Sequence, residues 1–135
     1  NIHIHFPEGA VPKDGPSAGV TVCTAIASAL TGTPVRRDVA MTGEISLRGR
    51  VLAIGGLREK TMAAMRSGVG TVIIPADNES DLEEIDPTVR SALNFVLADS
   101  ADKVLEAALV RKDSEPKGEV ILPVQGKKSR PRIRQ

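Results

Sequence analysis

The sequence predicts a mixed α/β (α+β) fold, with small mixed sheets packed against helices. Three observations carry that expectation. Short β-branched and apolar runs alternate with helix-length segments through the second half of the chain. The stretch from Ala18 to Leu30 carries no charge, which reads as a buried helix. In the middle, two apolar runs flank Arg48-Gly49-Arg50, which reads as a hairpin with glycine at its turn. At 135 residues, with 41% hydrophobic and 26% charged residues, the chain suits one globular domain with a real core.

Each element has its own signal. Ile2 to Phe6 alternates apolar and polar residues, predicting a strand with one buried face and an upstream partner strand. Residues 7–15 hold two prolines and two glycines and form a loop. Pro16 suits the first turn of a helix running to Leu30, and Gly32 with Pro34 ends it. Val39 to Met41 is a short buried strand, and Ile45–Leu47 with Val51–Ile54 form the hairpin. Gly55-Gly56 breaks the chain before a helix over 57–67. Thr71 to Ile74 is a β-branched strand stopped by Pro75. Asn78 to Ile85 reads as a short acidic helix, and 88–94 as a further helical turn. Phe95 to Ala98 reads as a strand, and Ser100 can cap a last helix over 101–110.

From Lys112 the texture changes. Residues 112–135 hold seven basic and three acidic residues around one apolar island, Val120-Ile121-Leu122. Residues 1–111 hold eleven basic and fourteen acidic residues, so a net charge of +1 hides a mildly acidic body and a basic tail. A solvated, disordered tail is expected. The near-neutral balance and the shortage of aromatic residues, two Phe with no Trp or Tyr, argue against nucleic acid as a partner. A single cysteine excludes an internal disulfide, and no apolar run approaches membrane-spanning length. No leader pattern opens the sequence, so a soluble, reducing compartment is the default.

Three features carry possible chemistry. Gly15-Pro16-Ser17-Ala18-Gly19 fits the pattern G-x-S-x-G and puts Ser17 at a loop-to-helix junction. Unpaired N–H groups at a helix start can hold the oxyanion formed when a carbonyl is attacked, although a merely capping serine would look the same. Both histidines precede Ser17, so the order serine, acid, histidine is absent. Lys60 is the second feature. On a helical wheel it leaves the polar face of Arg58, Glu59 and Arg66 and lies between Leu57, Ala63 and Ala64. A lysine partly removed from water gives up its proton more readily and can serve as a base, whereas a snorkelling lysine would serve nothing. Third, His3 and His5 share one face of a strand and could form half a metal site, but no third ligand stands at a fixed spacing. Thr42-Gly43-Glu44 at a strand end reads as turn chemistry.

Two blocks narrow the reading. The segment Pro7-Glu-Gly-Ala-Val-Pro-Lys-Asp-Gly-Pro-Ser-Ala-Gly19 strongly resembles the active-site segment of Lon proteases. So does Met41-Thr-Gly-Glu-Ile-Ser-Leu-Arg-Gly-Arg-Val-Leu-Ala-Ile-Gly-Gly-Leu-Arg-Glu-Lys60. The resemblance runs from about Asn1 to about Val110 in order and spacing. It implies a Ser–Lys dyad peptidase, with Ser17 as nucleophile and Lys60 as general base. Thr42 then matches a threonine whose hydroxyl contacts the dyad lysine. Asp14 matches an aspartate that can hold the site closed, and His3 and His5 match supporting histidines. The implied division is a proteolytic domain over 1–111, lacking its upstream part, and a basic tail over 112–135. The resemblance also implies a compact α/β proteolytic fold, a homo-oligomeric ring of six and unfolded or damaged protein as substrate. The implied setting is the bacterial cytoplasm. No cofactor is implied in this segment. ATP and Mg²⁺ belong to an ATPase module, and no G-x-x-x-x-G-K-[ST] pattern occurs here. A phosphate-binding, kinase-like domain using Gly9, Gly15 and Gly19 and a non-catalytic ring-assembly module stand as alternatives.

Overall fold

A computed structural model describes residues 1–6 and 15–110. Strands β1 (Val39–Met41), β4 (Thr71–Pro75) and β5 (Asn94–Ala98) form a parallel sheet in the order β1-β4-β5. Val39 pairs with Thr71, and Thr71 in turn with Asn94. Strands β2 (Glu44–Ile45) and β3 (Val51–Leu52) make a separate antiparallel pair. Helices α1 (Gly19–Thr31), α2 (Leu57–Arg66), α3 (Pro87–Ala92) and α4 (Ala101–Ala108) complete the order, with 3-10 segments at Pro16–Ala18 and Ala76–Glu84.

β4 explains the layering. It is central, and all five of its residues are buried, as expected of a parallel strand covered on both faces. Its side chains alternate between two cores. Val72 and Ile74 join Leu57 and Ala64 of α2, Val89 of α3, Ile85 and Leu93. Ile73 points the other way, into a core with Val20 of α1, Val51, Ala98, and Val104 and Ala108 of α4. The strand period of two thus sets which helices lie on which face.

The predicted elements hold, with instructive exceptions. Ile2 to Phe6 is not a strand: residues 1–6 are irregular and exposed, and Ile2 and Phe6 show 63% and 61% of their surface. Alternation marks strand capacity, but a strand forms only against a partner ladder, and no described strand pairs with this segment. Helix α1 is not buried all round. Val20 and Thr24 are buried in it, while Leu30 is 73% exposed, so its charge-free sequence overstates its burial. The acidic segment after β4 is 3-10 rather than α-helical. Ser100 occupies the N-cap of α4 but makes no side-chain cap bond. α4 ends at Ala108, where Leu109 bridges to Val35 and the Val110 N–H donates to the Pro34 carbonyl. The hairpin is shorter than its apolar runs, with Gly49 at φ 78° closing the turn. No described helix is long and apolar enough to cross a membrane. The tail over 112–135 and Asp14 lie outside the described residues.

Candidate active site

Ser17 sits in the single 3-10 turn that leads directly into α1. Gly15 precedes it at φ 116°, a conformation glycine adopts without cost. The turn is fastened to the end of β1. The Ser17 carbonyl accepts from the Gly43 N–H at 2.9 Å and from the Thr42 hydroxyl at 3.4 Å. The Gly43 carbonyl in turn accepts the Val20 N–H at 3.1 Å, satisfying one of the unpaired donors at the start of α1. Two glycines permit this approach. A Cβ on Gly19 would lie 3.1 Å from the Ile45 backbone N, and one on Gly43 would lie 2.9 Å from Val51 Cγ1.

Lys60 sits in the first turns of α2. Gly56, at φ 69°, is the N-cap, and its carbonyl accepts the Lys60 backbone N–H at 3.2 Å. The side chain turns back, so that Nζ donates to the Gly55 carbonyl at 3.0 Å. The wheel reading holds in part: Leu57 and Ala64 are buried, Arg58 and Glu59 are exposed, and Lys60 is half-buried between the two sets, but Ala63, expected on the apolar side, is exposed.

These two elements meet in one open cleft of about 290 Å³. Ser17, Ala18 and Thr21 come from the first helix region, Ala40, Met41 and Thr42 from the end of β1, Lys60, Ala63 and Ala64 from α2, and Val72 from β4. Lys60 is the single charged side chain among these described lining residues. The rest of the lining is uncharged, with the hydroxyls of Ser17, Thr21 and Thr42 among mostly small apolar side chains. No hydrogen bond joins Ser17 Oγ to Lys60 Nζ; the lysine is held by Gly55 instead. Thr42 is buried and lines the cleft, but its hydroxyl bonds the Ser17 carbonyl rather than Lys60.

Of the remaining expected residues, the two described histidines do not gather here. His3 and His5 lie in the exposed segment 1–6, and neither lines the cleft. Among the described residues no group of three or more His, Cys, Asp and Glu could hold a metal ion. The acidic side chains held below the ordinary carboxylate range are also elsewhere: Asp38 by the Arg36 guanidinium, Asp86 by the Thr88 N–H and Asp99 by Lys103. Sequence reading missed Thr21, although its i+4 spacing from Ser17 on a continuous helical segment places both on one face.

A profile of the Lon protease (S16) C-terminal proteolytic domain matches residues 1–111. The chain is 64% identical over 110 residues to the Lon protease of Bacillus thuringiensis (strain Al Hakam), covering 82% of this chain and 14% of that protein. It is also 64% identical over 110 residues to Lon protease 1 of Bacillus subtilis (strain 168), with the same two coverages. It is 63% identical over 111 residues to the Lon protease of Chloroflexus aggregans (strain MD-66 / DSM 9485), again at 82% and 14%. The chain thus spans about a seventh of the length of these curated relatives. With Ser17 and Lys60 both lining one cleft and the match running through α4, this chain belongs to the Lon (S16) family of proteolytic domains.

Proposed function

We propose that this chain is the proteolytic part of an ATP-dependent serine endopeptidase that cuts unfolded or damaged protein through a Ser17–Lys60 dyad. The observation that carries the reading is the meeting, in one small-chained cleft, of a helix-start serine and a half-buried lysine from separate elements. The relatives' name, Lon protease, supports the reaction class.

The chemistry follows from the groups present. A neutral lysine amine has two N–H donors and one lone pair. One donor stays on the Gly55 carbonyl while the lone pair takes the Ser17 hydroxyl proton. Ser17 Oγ attacks the peptide carbonyl, and the Ser17 and Ala18 backbone N–H groups of the 3-10 turn stabilise the oxyanion. The Lys60 ammonium returns its proton to the leaving amine, giving an acyl-enzyme. Lys60 then takes a proton from water, the hydroxide adds to the acyl carbonyl, and the Lys60 ammonium returns that proton to Ser17 Oγ as the acid leaves. Substrate lies extended along a strand edge, where main-chain pairing tolerates many sequences. The dyad itself needs no cofactor; ATP and Mg²⁺ serve the ATPase module of the longer protein. A ring of six copies and a bacterial cytoplasmic setting belong to the same reading.

The test is hydrolysis of a fluorogenic peptide without ATP by the native chain, Ser17→Ala and Lys60→Ala. The reading expects hydrolysis by the native chain and its loss in both variants while both keep native circular dichroism. Hydrolysis that survives Ser17→Ala refutes the nucleophile. Thermal stabilisation by a nucleotide would instead favour the phosphate-binding alternative.

A further inference from the structure

Among the described residues the buried polar side chains are four threonines and Asn78. Asn78 is 3% exposed, in the 3-10 segment after β4, and the mechanism above does not use it. Its amide reaches across to another part of the chain. Oδ1 accepts the Ile54 N–H at 3.0 Å, and Nδ2 donates to the Ile54 carbonyl at 2.9 Å. Nδ2 also donates to Asp81 Oδ2 at 2.6 Å, which fixes which end of the amide faces which group. The side chain therefore pairs with the Ile54 backbone as a neighbouring strand would, with donor opposite acceptor at both positions.

Ile54 is the last residue before Gly55-Gly56. Those two glycines supply both carbonyls that hold Lys60, Gly55 for the ammonium and Gly56 for the backbone N–H. A Gly-Gly link has more conformational freedom than any other dipeptide. Left loose on one side, it would let the start of α2 and the lysine wander. A buried amide clamp on the adjoining residue removes that freedom. We infer that Asn78 is a positioning residue, whose amide clamps Ile54 and thereby fixes the Gly55 and Gly56 carbonyls that hold Lys60 at the cleft. The expected effect on rate rests on the dyad reading; the hold on Lys60 does not.

The experiment uses the whole chain with two readouts. One is backbone amide exchange at Lys60, with Val72 and Ile74 of β4 as internal references. The other is peptide hydrolysis, separated into kcat and KM. Asn78→Ala should speed Lys60 exchange at least about tenfold while the β4 amides stay within about threefold. It should lower kcat by roughly 10–100-fold and leave KM within about threefold, since misplacement of a reacting group by about 1 Å costs that order of rate. Asp81→Ala removes only the group that orients the amide, so it keeps the inference testable if Asn78→Ala does not fold. It should move both readouts in the same direction by less. Ile85→Ala, a truncation in the same core, should lower Tm yet leave Lys60 exchange relative to β4 and kcat per folded molecule unchanged. Lys60 exchange unchanged in a folded Asn78→Ala or Asp81→Ala protein overturns the inference, as does a kcat loss no larger than that of Ile85→Ala. Full hydrolysis by Lys60→Ala would sink the dyad instead, and the exchange result would still decide the clamp.

Discussion

Gly43 is where the cleft is most sensitive to one added carbon. It has no side chain, and its backbone joins the end of β1 to Ser17 through its N–H and to Val20 through its carbonyl. A Cβ there would lie 2.9 Å from Val51 Cγ1 and 3.0 Å from Val20 Cγ1. Ordinary carbon–carbon contacts lie at about 3.5–4.0 Å, so the neighbours must yield by roughly half an ångström or more. Val20 and Val51 are 1% and 3% exposed and β-branched, so neither has an easy second rotamer. Overpacking of this kind costs about 1–3 kcal/mol. At about 4–8 °C per kcal/mol for a domain of this size, Gly43→Ala should lower Tm by roughly 5–20 °C. The same displacement is passed to the Ser17 carbonyl, so hydrolysis per folded molecule should fall as well. The measurement is a thermal melt with peptide turnover taken well below the transition. Gly55→Ala is the control for stability, because nothing lies within 4 Å of a Cβ there and its φ is not positive. A Gly43→Ala protein that melts within about 2 °C of native and turns over normally would refute the argument.

Three further outcomes follow from other parts of the molecule. Ile74 is fully buried in β4, so Ile74→Ala should cost about 2–5 kcal/mol in urea unfolding, and a loss under about 1 kcal/mol would contradict its central place. The Asp86 carboxylate accepts the Thr88 N–H at 2.8 Å at the start of α3, and that bond holds its carboxyl below the ordinary range. A depressed value means that its contribution is complete above the unfolded-state range and is lost as pH falls through the folded value. Asp86→Asn keeps a capping oxygen and should flatten part of the acid limb of the urea midpoint between about pH 5 and 2; an identical limb would count against the cap. Lys60→Arg keeps the charge but never supplies a neutral base, so it should abolish hydrolysis of the fluorogenic peptide. Hydrolysis that survives Lys60→Arg would argue against Lys60 as the base.

How much of this was legible in the sequence depends on how local each feature is. The place of Lys60 was readable because a helix has a fixed period, and three polar neighbours define the face it avoids. The break at Gly32 was readable because a helix end there needs a left-handed residue, and Gly32 has φ 64°. The strand over Ile2 to Phe6 failed for the complementary reason: alternation is a property of the segment, but a ladder is a property of a pair. Asn78 shows the same limit from the other side. Within Asp77-Asn78-Glu79-Ser80-Asp81 it looks like one more solvated polar residue, and only the fold reveals that it is buried against Ile54.

The meeting of Ser17 and Lys60 was the least legible feature, because no local rule links a 3-10 turn to a helix that far along the chain. Their meeting depends on β1 and β4 lying parallel and in register, with Ala40 beside Val72. Both of those residues line the cleft, so the sheet is the template on which it forms. The Thr42-Gly43 turn at the end of β1 then draws in Ser17, and α2 packs Leu57 and Ala64 against Val72 to bring Lys60 from the other side. The described parts of the two blocks that carry the family likeness, residues 15–19 and 41–60, therefore belong to one physical device. Gly19 and Gly43, one from each block, let a helix start touch a strand end. In the second block the double glycine holds a lysine by the backbone just before its own helix. Gly43 bonds the Ser17 carbonyl and Asn78 clamps the residue before the glycines that hold Lys60, so changes at either should reach the same turnover.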